Sequence, residues 1–207
     1  MTGTDAGTLS VPLPCGPETP LTPLLARRRS VKSFPEAALG IADVGGALRH
    51  AASRVTGAAH ASARGQYLVA VTAIIGRVRG LAPGAYEYDG AVHRLTMRTA
   101  GDHRERLAGA TVDAPWLAPC PMLVLLSTHT EHAEGYFAEL GGGQGERFAW
   151  LEAGLIAQNL YLWASATGHG TVFIGGLDAP AMADAAAPLL PTGHTVLGIM
   201  PLGHLAE

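Results

Sequence analysis

Four cationic side chains fall within six residues of a chain that is otherwise poor in charge. The segment runs from Arg27 to Lys32 and includes Ser30, and Lys32 is the only lysine among 207 residues. Guanidinium groups, an ammonium and a hydroxyl together match the oxygens of a phosphate group. Cations also collect at the carbonyl end of a helix, where they complement the helix dipole. The segment therefore predicts a phosphate clamp, with a solvated helix end as the alternative.

Two loops rich in small residues could hold a planar ligand. In residues 61–67 the small side chains would let a ligand approach the main chain, while Ser62 and Arg64 donate to its polar edge. Gly175 and Gly176 expose backbone N–H groups that could hydrogen-bond an electron-rich atom. Each loop also has an ordinary interpretation, as a helix-to-strand connection in the first case and as a capped turn before a helix in the second.

The remaining polar groups are weaker indicators. Glu152, Gln158 and Asn159 lie in a long apolar helix, where they form either a structural network at a subunit interface or a contact with a ligand. His129 and His132 have one-turn spacing, but no third ligand is evident nearby, so no metal site is predicted. The sequence has no glycine-rich nucleotide loop and no Gly-x-Ser-x-Gly elbow. This argues against a Rossmann dehydrogenase, a nucleoside triphosphatase and an α/β-hydrolase.

The composition indicates a compact chain, because 48% of its residues are hydrophobic and only 15% are charged. The net charge of −3 gives no reason to expect nucleic acid or an anionic membrane as a partner. Cys15 and Cys120 are too few for a disulfide framework and fit a reducing compartment. Since neither a signal peptide nor a transmembrane run is recognised, the expected location is cytoplasmic. So little charge also suggests an oligomer that covers apolar surface.

Hydrophobic patterning places these groups on alternating helices and strands. Residues 1–18 are predicted to be a flexible lead-in, and residues 19–207 a single domain. Strands separated by helices, together with one hairpin, indicate an α+β or α/β sandwich. Helices are predicted at 21–29, 41–53, 102–107, 146–167 and 179–187, strands at 67–75, 121–127, 171–174 and 195–202, and a hairpin at 85–95 that turns at Asp89-Gly90.

Five segments, taken in order, resemble the nitroreductase superfamily of flavin enzymes. The Arg-Arg-Ser-x-Lys-x-Phe pattern at Arg28–Phe34 is similar to the family's FMN-phosphate segment. Ala61–Tyr67 resembles its Pro-Ser-Ala-Gly loop under the isoalloxazine ring, and Ile174–Asp178 the loop that faces flavin N5. Two further segments narrow the resemblance to the streptolysin-type (SagB-type) azoline dehydrogenase branch. They are the hairpin Gly80–Asp89 and the central dimer helix with Leu151–Gly154 and Gln158–Leu160.

The resemblance implies an α+β fold of the nitroreductase type. This is a three-layer sandwich whose central sheet is mixed but mainly antiparallel and is flanked by helices. It further implies a homodimer that binds FMN at the subunit interface. Phosphate binding would fall to Arg28, Arg29, Ser30 and Lys32, ring contacts to Ser62, Ala63 and Arg64, and the N5 side to Gly175 and Gly176.

The chain departs from the family pattern at several positions. Ala61 replaces proline and Arg64 replaces glycine in the ring loop, and the catalytic Lys-Tyr pair of the branch is missing before the central helix. Three side chains in that region could replace its base: Glu134, Tyr136 and Glu139. Tyr136 is the first choice because a phenol can relay a proton, and Arg147 is expected to lower its pKa. The alternative is that Tyr136 only packs against the core.

Three functions remain open. The hairpin and the central helix favour oxidation of an azoline or a related peptide-derived substrate in natural-product biosynthesis, alongside other biosynthetic enzymes. The missing Lys-Tyr pair weakens that function relative to NAD(P)H-dependent reduction of small nitroaromatics or quinones. The third, from another class, is a non-catalytic partner subunit of a biosynthetic complex. The intact phosphate segment argues against it, because a scaffold has no need of such a clamp.

Overall fold

The computed structural model describes residues 10–206. Residues 10–18 contain no helix or strand, and the rest of the predicted flexible lead-in, residues 1–9, lies outside the described part. The helices are α1 (Thr22–Arg27), α2 (Ile41–Ala52), α3 (Arg104–Gly109), α4 (Thr130–Tyr136), α5 (Gln144–Thr167) and α6 (Ala179–Ala186). The strands are β1 (Leu39–Gly40), β2 (Val69–Ile75), β3 (Val78–Arg79), β4 (Gly84–Asp89), β5 (Arg94–Ala100), β6 (Met122–Thr128), β7 (His169–Gly170) and β8 (Thr195–His204). Within residues 10–206, no helix is both long enough and apolar enough to cross a membrane.

Six strands form one sheet in the order β5-β4-β2-β6-β8-β7. Each neighbouring pair in this sheet is antiparallel. The short strands β1 and β3 pair in parallel and form a separate two-stranded sheet. The prediction of a mainly antiparallel sheet in an α+β fold is therefore confirmed.

Helices cover both faces of the six-stranded sheet, and alternation along its central strands divides the core in two. Val71 and Val124 point to the face on which α2 and α5 pack. Ile74 and Leu123 point to the opposite face, with α3 and α6. Because both faces are buried, β2 and β6 are almost continuously apolar, which is the pattern that identifies them in the sequence. The result is the predicted three-layer arrangement.

Helix α5 is the longest element, with 24 residues, and it ends at Gly168 in the left-handed conformation (φ 74°). Its first turn lies directly against α4, since a Cβ on Gly145 would overlap the main chain of Ala133. Glu134 of α4 accepts hydrogen bonds from the amides of Gly143 and Glu146, at 2.9 and 2.8 Å. These bonds satisfy N–H groups that the start of a helix leaves unpaired, and they place a negative charge at the positive end of its dipole.

One buried charge ties α5 to the sheet. Glu152 is 2% exposed and accepts a hydrogen bond from the Val69 amide, at the start of β2, at 3.1 Å. His60 Nε2 approaches the same carboxylate oxygen to 3.5 Å. Burial raises the pKa of Glu152, but contacts from His60, Ser62 and the Val69 amide outweigh it, and the pKa lies below its ordinary value. The carboxylate is therefore ionised at neutral pH and holds the loop before β2 against α5.

The strand predicted at 171–174 is wrong. Only Ile174 forms a bridge, to Ile199, and strand β7 lies earlier, at His169–Gly170. The backbone bonds of the intervening residues go elsewhere, since the Thr171 carbonyl accepts from Val31 and the Phe173 amide donates to the Tyr161 hydroxyl. These partners satisfy the segment without a neighbouring strand.

The predicted two-residue hairpin turn at Asp89-Gly90 is also wrong. The register of β4 and β5 pairs Asp89 with Arg94, which leaves a four-residue loop at 90–93. The Gly90 carbonyl accepts from the Arg54 amide at 2.7 Å and so joins the loop to the end of α2. A Cβ on Gly90 would lie 2.5 Å from the Ala52 carbonyl, so this close contact requires glycine.

Replacement of Glu152 by glutamine tests the buried charge. The folded pKa of Glu152 is lower than its ordinary value of 4.5. The stabilisation is therefore fully present above about pH 4.5 and is lost as pH falls through the folded pKa. Glu152→Gln keeps the shape but not the charge. We expect it to lower the free energy of unfolding at pH 7 by about 1–3 kcal/mol, the range for a buried charged hydrogen bond.

The measurement is urea unfolding at pH values between about 3 and 7, a window that spans the ordinary carboxyl pKa. Wild type should lose more stability on acidification than Glu152→Gln. Glu18→Gln, at an exposed position, is the control and should follow the wild-type profile. Parallel profiles for wild type and Glu152→Gln would contradict the assignment.

Candidate functional site

The basic segment leaves the helix earlier than the sequence predicts. α1 ends at Arg27 rather than Arg29, and Arg28 adopts φ −52° and ψ 126°, outside the helical region. The Val31 amide then donates to the Thr171 carbonyl at 3.0 Å, which fixes the extended segment beside β7. The Arg28 guanidinium lies 5.1 Å from the centre of the Tyr161 ring of α5, a cation–π contact.

Among the described residues, the cations of this segment have no carboxylate partner. Within residues 10–206, Arg28, Arg29 and Lys32 form no ion pair. Arg29, Ser30 and Lys32 are exposed. Because these residues lie beyond the last turn of α1, the helix dipole does not account for them. Uncompensated cations beside a free hydroxyl form a surface suited to an anion such as a phosphate.

Tyr161 also connects the basic segment to the glycine loop. Its hydroxyl accepts from the Phe173 amide at 2.8 Å, two residues before Gly175. Gly175 and Gly176 are exposed, and in the described part of the chain no acceptor lies within hydrogen-bond distance of their N–H groups. These N–H groups are therefore free to bond a ligand, and their contact with one stays a prediction. Asp178 caps the following helix by accepting from the Ala181 amide at 3.0 Å, so the interpretation of the loop as a capped turn is confirmed.

The ring loop is held by its own side chains and by α4. The Ser62 hydroxyl accepts from the Tyr67 amide at 2.7 Å, and Ala63 begins a single 3₁₀ turn. Arg64 has φ 52°, in the left-handed region that favours glycine, the residue of the resembled family at this position. Its guanidinium pairs with Glu139 and lies 5.3 Å from the centre of the Phe137 ring. These contacts fasten the loop to the segment that follows α4.

A pocket of about 540 Å³ opens between this loop, β2, β4 and α4. Its volume lies in the range of small-molecule sites. The polar side chains that line it are Arg54, His60, Gln66, Tyr67, Glu87, Tyr88, Asp89, Thr96, His129, His132, Tyr136 and His194. Burial lowers the pKa of His194, and the neighbouring His129 lowers it further, so its ring is neutral at pH 7.

Tyr136 faces this pocket from the end of α4. It is 44% exposed, and its ring stacks on His132 at 4.8 Å. No described residue hydrogen-bonds its hydroxyl. The other two candidate bases are occupied, because Glu134 caps α5 and Glu139 pairs with Arg64. Tyr136 is therefore the candidate whose polar group is available to a bound molecule.

Within a single chain, the candidate site residues do not all lie around one pocket. Arg147 is exposed on α5, does not line the pocket, and within the described residues forms no cation–π contact with Tyr136. Neither the basic segment nor the glycine loop lines the pocket. Helix α5 connects them. Glu152 contacts Ser62 of the ring loop and Val69 of β2, and Tyr161 contacts the other two segments.

Several residues of the site could not be found from local patterns. His194 reaches the pocket from the loop before β8, where its Nδ1 lies 3.2 Å from the Ser127 hydroxyl. His60, which precedes the ring loop, places its Nε2 3.5 Å from the Glu152 carboxylate of α5. The signal available in the sequence was the presence of polar side chains in apolar surroundings, which identified Glu152 but not its partner.

The chain is similar to several known proteins. A protein of Methanocaldococcus jannaschii that is named as a nitroreductase is 27% identical over 172 residues, which cover 81% of this chain and 84% of that protein. A structure from Ralstonia eutropha, also named as a nitroreductase, matches with a TM-score of 0.75 at 24% identity and covers 97% of this chain and 89% of its own.

A chain of the Escherichia coli microcin synthetase McbBCD complex, solved with truncated pro-MccB17 bound, has the same fold. It matches with a TM-score of 0.73 at 17% identity, covering 99% of this chain and 80% of its own. The sequence profile of the nitroreductase family matches residues 25–204. Since that match spans most of the chain, the protein belongs to the nitroreductase family of oxidoreductases.

Proposed function

We propose that this protein is an FMN-dependent oxidoreductase whose single domain spans residues 19–207. The observation that carries the proposal is the group of cations at 28–32 that no carboxylate neutralises within residues 10–206. Nitroreductases generally use FMN, and the residues present fit it. Arg28, Arg29, Ser30 and Lys32 would hold its phosphate, Ser62, Ala63 and Arg64 would contact the ring, and the free N–H groups of Gly175 and Gly176 would face N5.

The site would be completed by a second copy of the chain. Helix α5 leaves Trp150, Leu151 and Leu155 exposed, the leucines by 60% and 36%. A mostly apolar groove of about 330 Å³ continues this surface near Leu162 and Ala166. Exposed apolar surface of this extent on a central helix is typical of an interface. A homodimer built on α5 would cover it and bring together segments that one chain keeps apart.

For the reaction we propose oxidation of an azoline or a related peptide-derived substrate, as in SagB-type dehydrogenases. Bound FMN would accept the hydride. The substrate ring also loses one proton, which Tyr136 Oη, at the pocket wall, would accept while passing its own proton to solvent. The resemblance of 80–89 and of α5 to that branch supports this proposal, as does the likeness to a chain of the microcin synthetase complex. Because the similar chain belongs to a complex, we also propose that this protein works with partner enzymes of a biosynthetic pathway. We propose the cytoplasm as its location.

Reduction of nitroaromatics or quinones with NAD(P)H is the second candidate. It is favoured by the missing Lys-Tyr pair, because protons for a reduced nitro group or quinone can come from solvent. The name of the M. jannaschii relative points the same way. A non-catalytic partner subunit is the third candidate, and a colourless purified protein that binds no FMN would identify it.

The first prediction for this function concerns the phosphate contacts. Each charge-assisted contact contributes about 1.5–3 kcal/mol, so Arg28→Ala and Lys32→Ala should each weaken FMN binding about 10- to 100-fold. The measurement is fluorescence titration of the apoprotein with FMN. Arg94→Ala removes an exposed arginine of β5 and should leave the affinity unchanged. Wild-type affinity in both clamp variants would refute this phosphate site.

The second prediction concerns the dimer. Leu151→Arg and Leu155→Arg place a charge in the proposed interface, where an unpaired charge is costly to bury, and both should convert the dimer to a monomer. Light scattering at micromolar concentration measures this. Val92→Arg, on the exposed hairpin loop, is the matched control and should remain dimeric. A folded wild-type monomer with bound FMN would overturn the interface.

The third prediction concerns Tyr136. A positioned base contributes about 10²–10⁴-fold, so Tyr136→Phe should lower turnover of a thiazoline-containing peptide at least about tenfold. The flavin spectrum and the dimer should not change. Tyr86→Phe, whose hydroxyl bonds only the Ala82 carbonyl, is the control and should keep its turnover. Full activity of Tyr136→Phe on the peptide would exclude Tyr136 as the base. If both variants reduce a nitroaromatic and neither oxidises the peptide, the reductase function is favoured.

A further inference from the structure

Three side chains that are far apart in the sequence converge beside the end of α5. They are Asp43 in the first turn of α2, His169 in β7 and His204 at the end of β8. One ligand atom from each lies within 4.8 Å of the other two. The pairing of β7 with β8 sets His169 opposite His204, and their rings are 5.0 Å apart between centres. The group lies outside the 540 Å³ pocket and outside the segments proposed to hold FMN.

The hydrogen bonds around His169 determine which ring nitrogen has a lone pair in the neutral ring. The Thr167 hydroxyl donates its proton to the Trp163 carbonyl at 2.8 Å. Its oxygen can therefore only accept from His169 Nδ1, which lies 2.9 Å away. With the proton on Nδ1, the lone pair is on Nε2. This tautomer is the one in which histidine binds a metal through Nε2.

His169 Nε2 is buried and has no hydrogen-bond partner within the described residues, while the whole residue is only 7% exposed. Its nearest polar neighbour is Asp43 Oδ1, at 3.7 Å. The other carboxylate oxygen, Oδ2, already accepts from the Gly40 amide at 2.8 Å. A lone pair that faces a carboxylate oxygen in a buried place is unfavourable unless a cation lies between them.

We propose that Asp43, His169 and His204 bind one divalent transition-metal ion, with Zn²⁺ as the occupant. Two imidazoles and one carboxylate are ligands typical of zinc, whereas magnesium and calcium prefer oxygen ligands alone. Tetrahedral bonds of about 2.0–2.1 Å separate ligand atoms by about 3.3 Å. The pair at 3.7 Å is close to that separation, and the ligand atom of the half-buried His204, which lies within 4.8 Å of the other two, would have to move closer on binding.

The surroundings orient the proposed ligands in the manner of a metal's supporting residues. Trp163 stacks on the His169 ring at 4.8 Å with an angle of 25° between the planes. Thr167 fixes its tautomer and Gly40 fixes one oxygen of Asp43. Three protein ligands leave a fourth coordination position for water or another ligand. The ion would join the start of α2, strand β7 and the end of β8.

The test uses the full chain, freed of metal with a chelator and then titrated with Zn²⁺ in a calorimeter. We expect one equivalent to bind. Loss of a residue that only supports a ligand typically weakens metal binding about 10- to 100-fold. His169→Gln and His204→Gln remove ligands themselves and should weaken Zn²⁺ binding by more than this. Thr167→Val removes such a group and should fall within that range. Co²⁺ in place of Zn²⁺ should give visible d–d absorption that both histidine variants lose.

His132→Gln is the matched control, because His132 belongs to a different group of imidazoles, with His129 and His194. It should bind Zn²⁺ as wild type does. The melting temperature without metal is measured for each variant, and His204→Gln tests the site separately if the buried His169→Gln fails to fold. Unchanged affinity in His204→Gln, loss of affinity in His132→Gln, or no binding to wild type would each overturn the proposal. The last outcome would leave an Asp43–His169 ion pair as the explanation, and none of these results depends on FMN.

Discussion

The contact between Glu152 and the Val69 amide is the interaction on which the arrangement of the site depends. It joins the central helix to the first residue of a central strand, in a place where the carboxylate is 2% exposed. An ionised group in such a place is stable only while its hydrogen bonds are kept. Its position therefore fixes both the register of α5 against β2 and the course of the loop before β2. This contact acts together with the Ser62–Tyr67 hydrogen bond and the Arg64–Glu139 ion pair, which also hold the ring loop beside the pocket.

The same helix extends this constraint to the other end of the site. Tyr161 lies more than two turns beyond Glu152 and contacts the basic segment through its ring and the glycine loop through its hydroxyl. Both segments also bond other parts of the chain, the basic segment through the Val31 amide and the glycine loop through the Gly176 carbonyl. Since a helix is nearly rigid over this length, the separation between the ring loop and the phosphate segment is set by α5. A change at Gly145 or Glu134, which position the start of α5 against α4, would act on the whole site.

The sequence predicted the elements whose pattern is local. β2, β6 and β8 are continuous apolar runs, and α5 has apolar positions at helical spacing, so their existence follows from burial alone. The prediction of a strand at 171–174 failed because the Thr171 carbonyl accepts from the Val31 amide and the Phe173 amide donates to the Tyr161 hydroxyl of α5, and no local pattern shows these partners. Helix α4 was not predicted because its sequence has few apolar residues at helical spacing. Its packing against the start of α5 stabilises it instead, and that contact is not visible in the sequence. The group formed by Asp43, His169 and His204 could not be predicted either, because the pairing of β7 with β8 brings the two histidines together and this pairing leaves no local pattern in the sequence.

The sequence left one question about α5 open, whether its polar residues serve a subunit interface or a ligand, and the structure separates them. Glu152 and Asn159 are used within the chain, since the Asn159 amide donates to the Ala59 carbonyl. Gln158 is exposed and follows Leu151 and Leu155 at helical spacing, on one face. An exposed amide on an apolar face is a poor core residue but a useful one in an interface, where it fixes register between two copies. Glu152 and Asn159 are therefore already bonded within the chain, whereas Gln158 remains available to the homodimer that we propose.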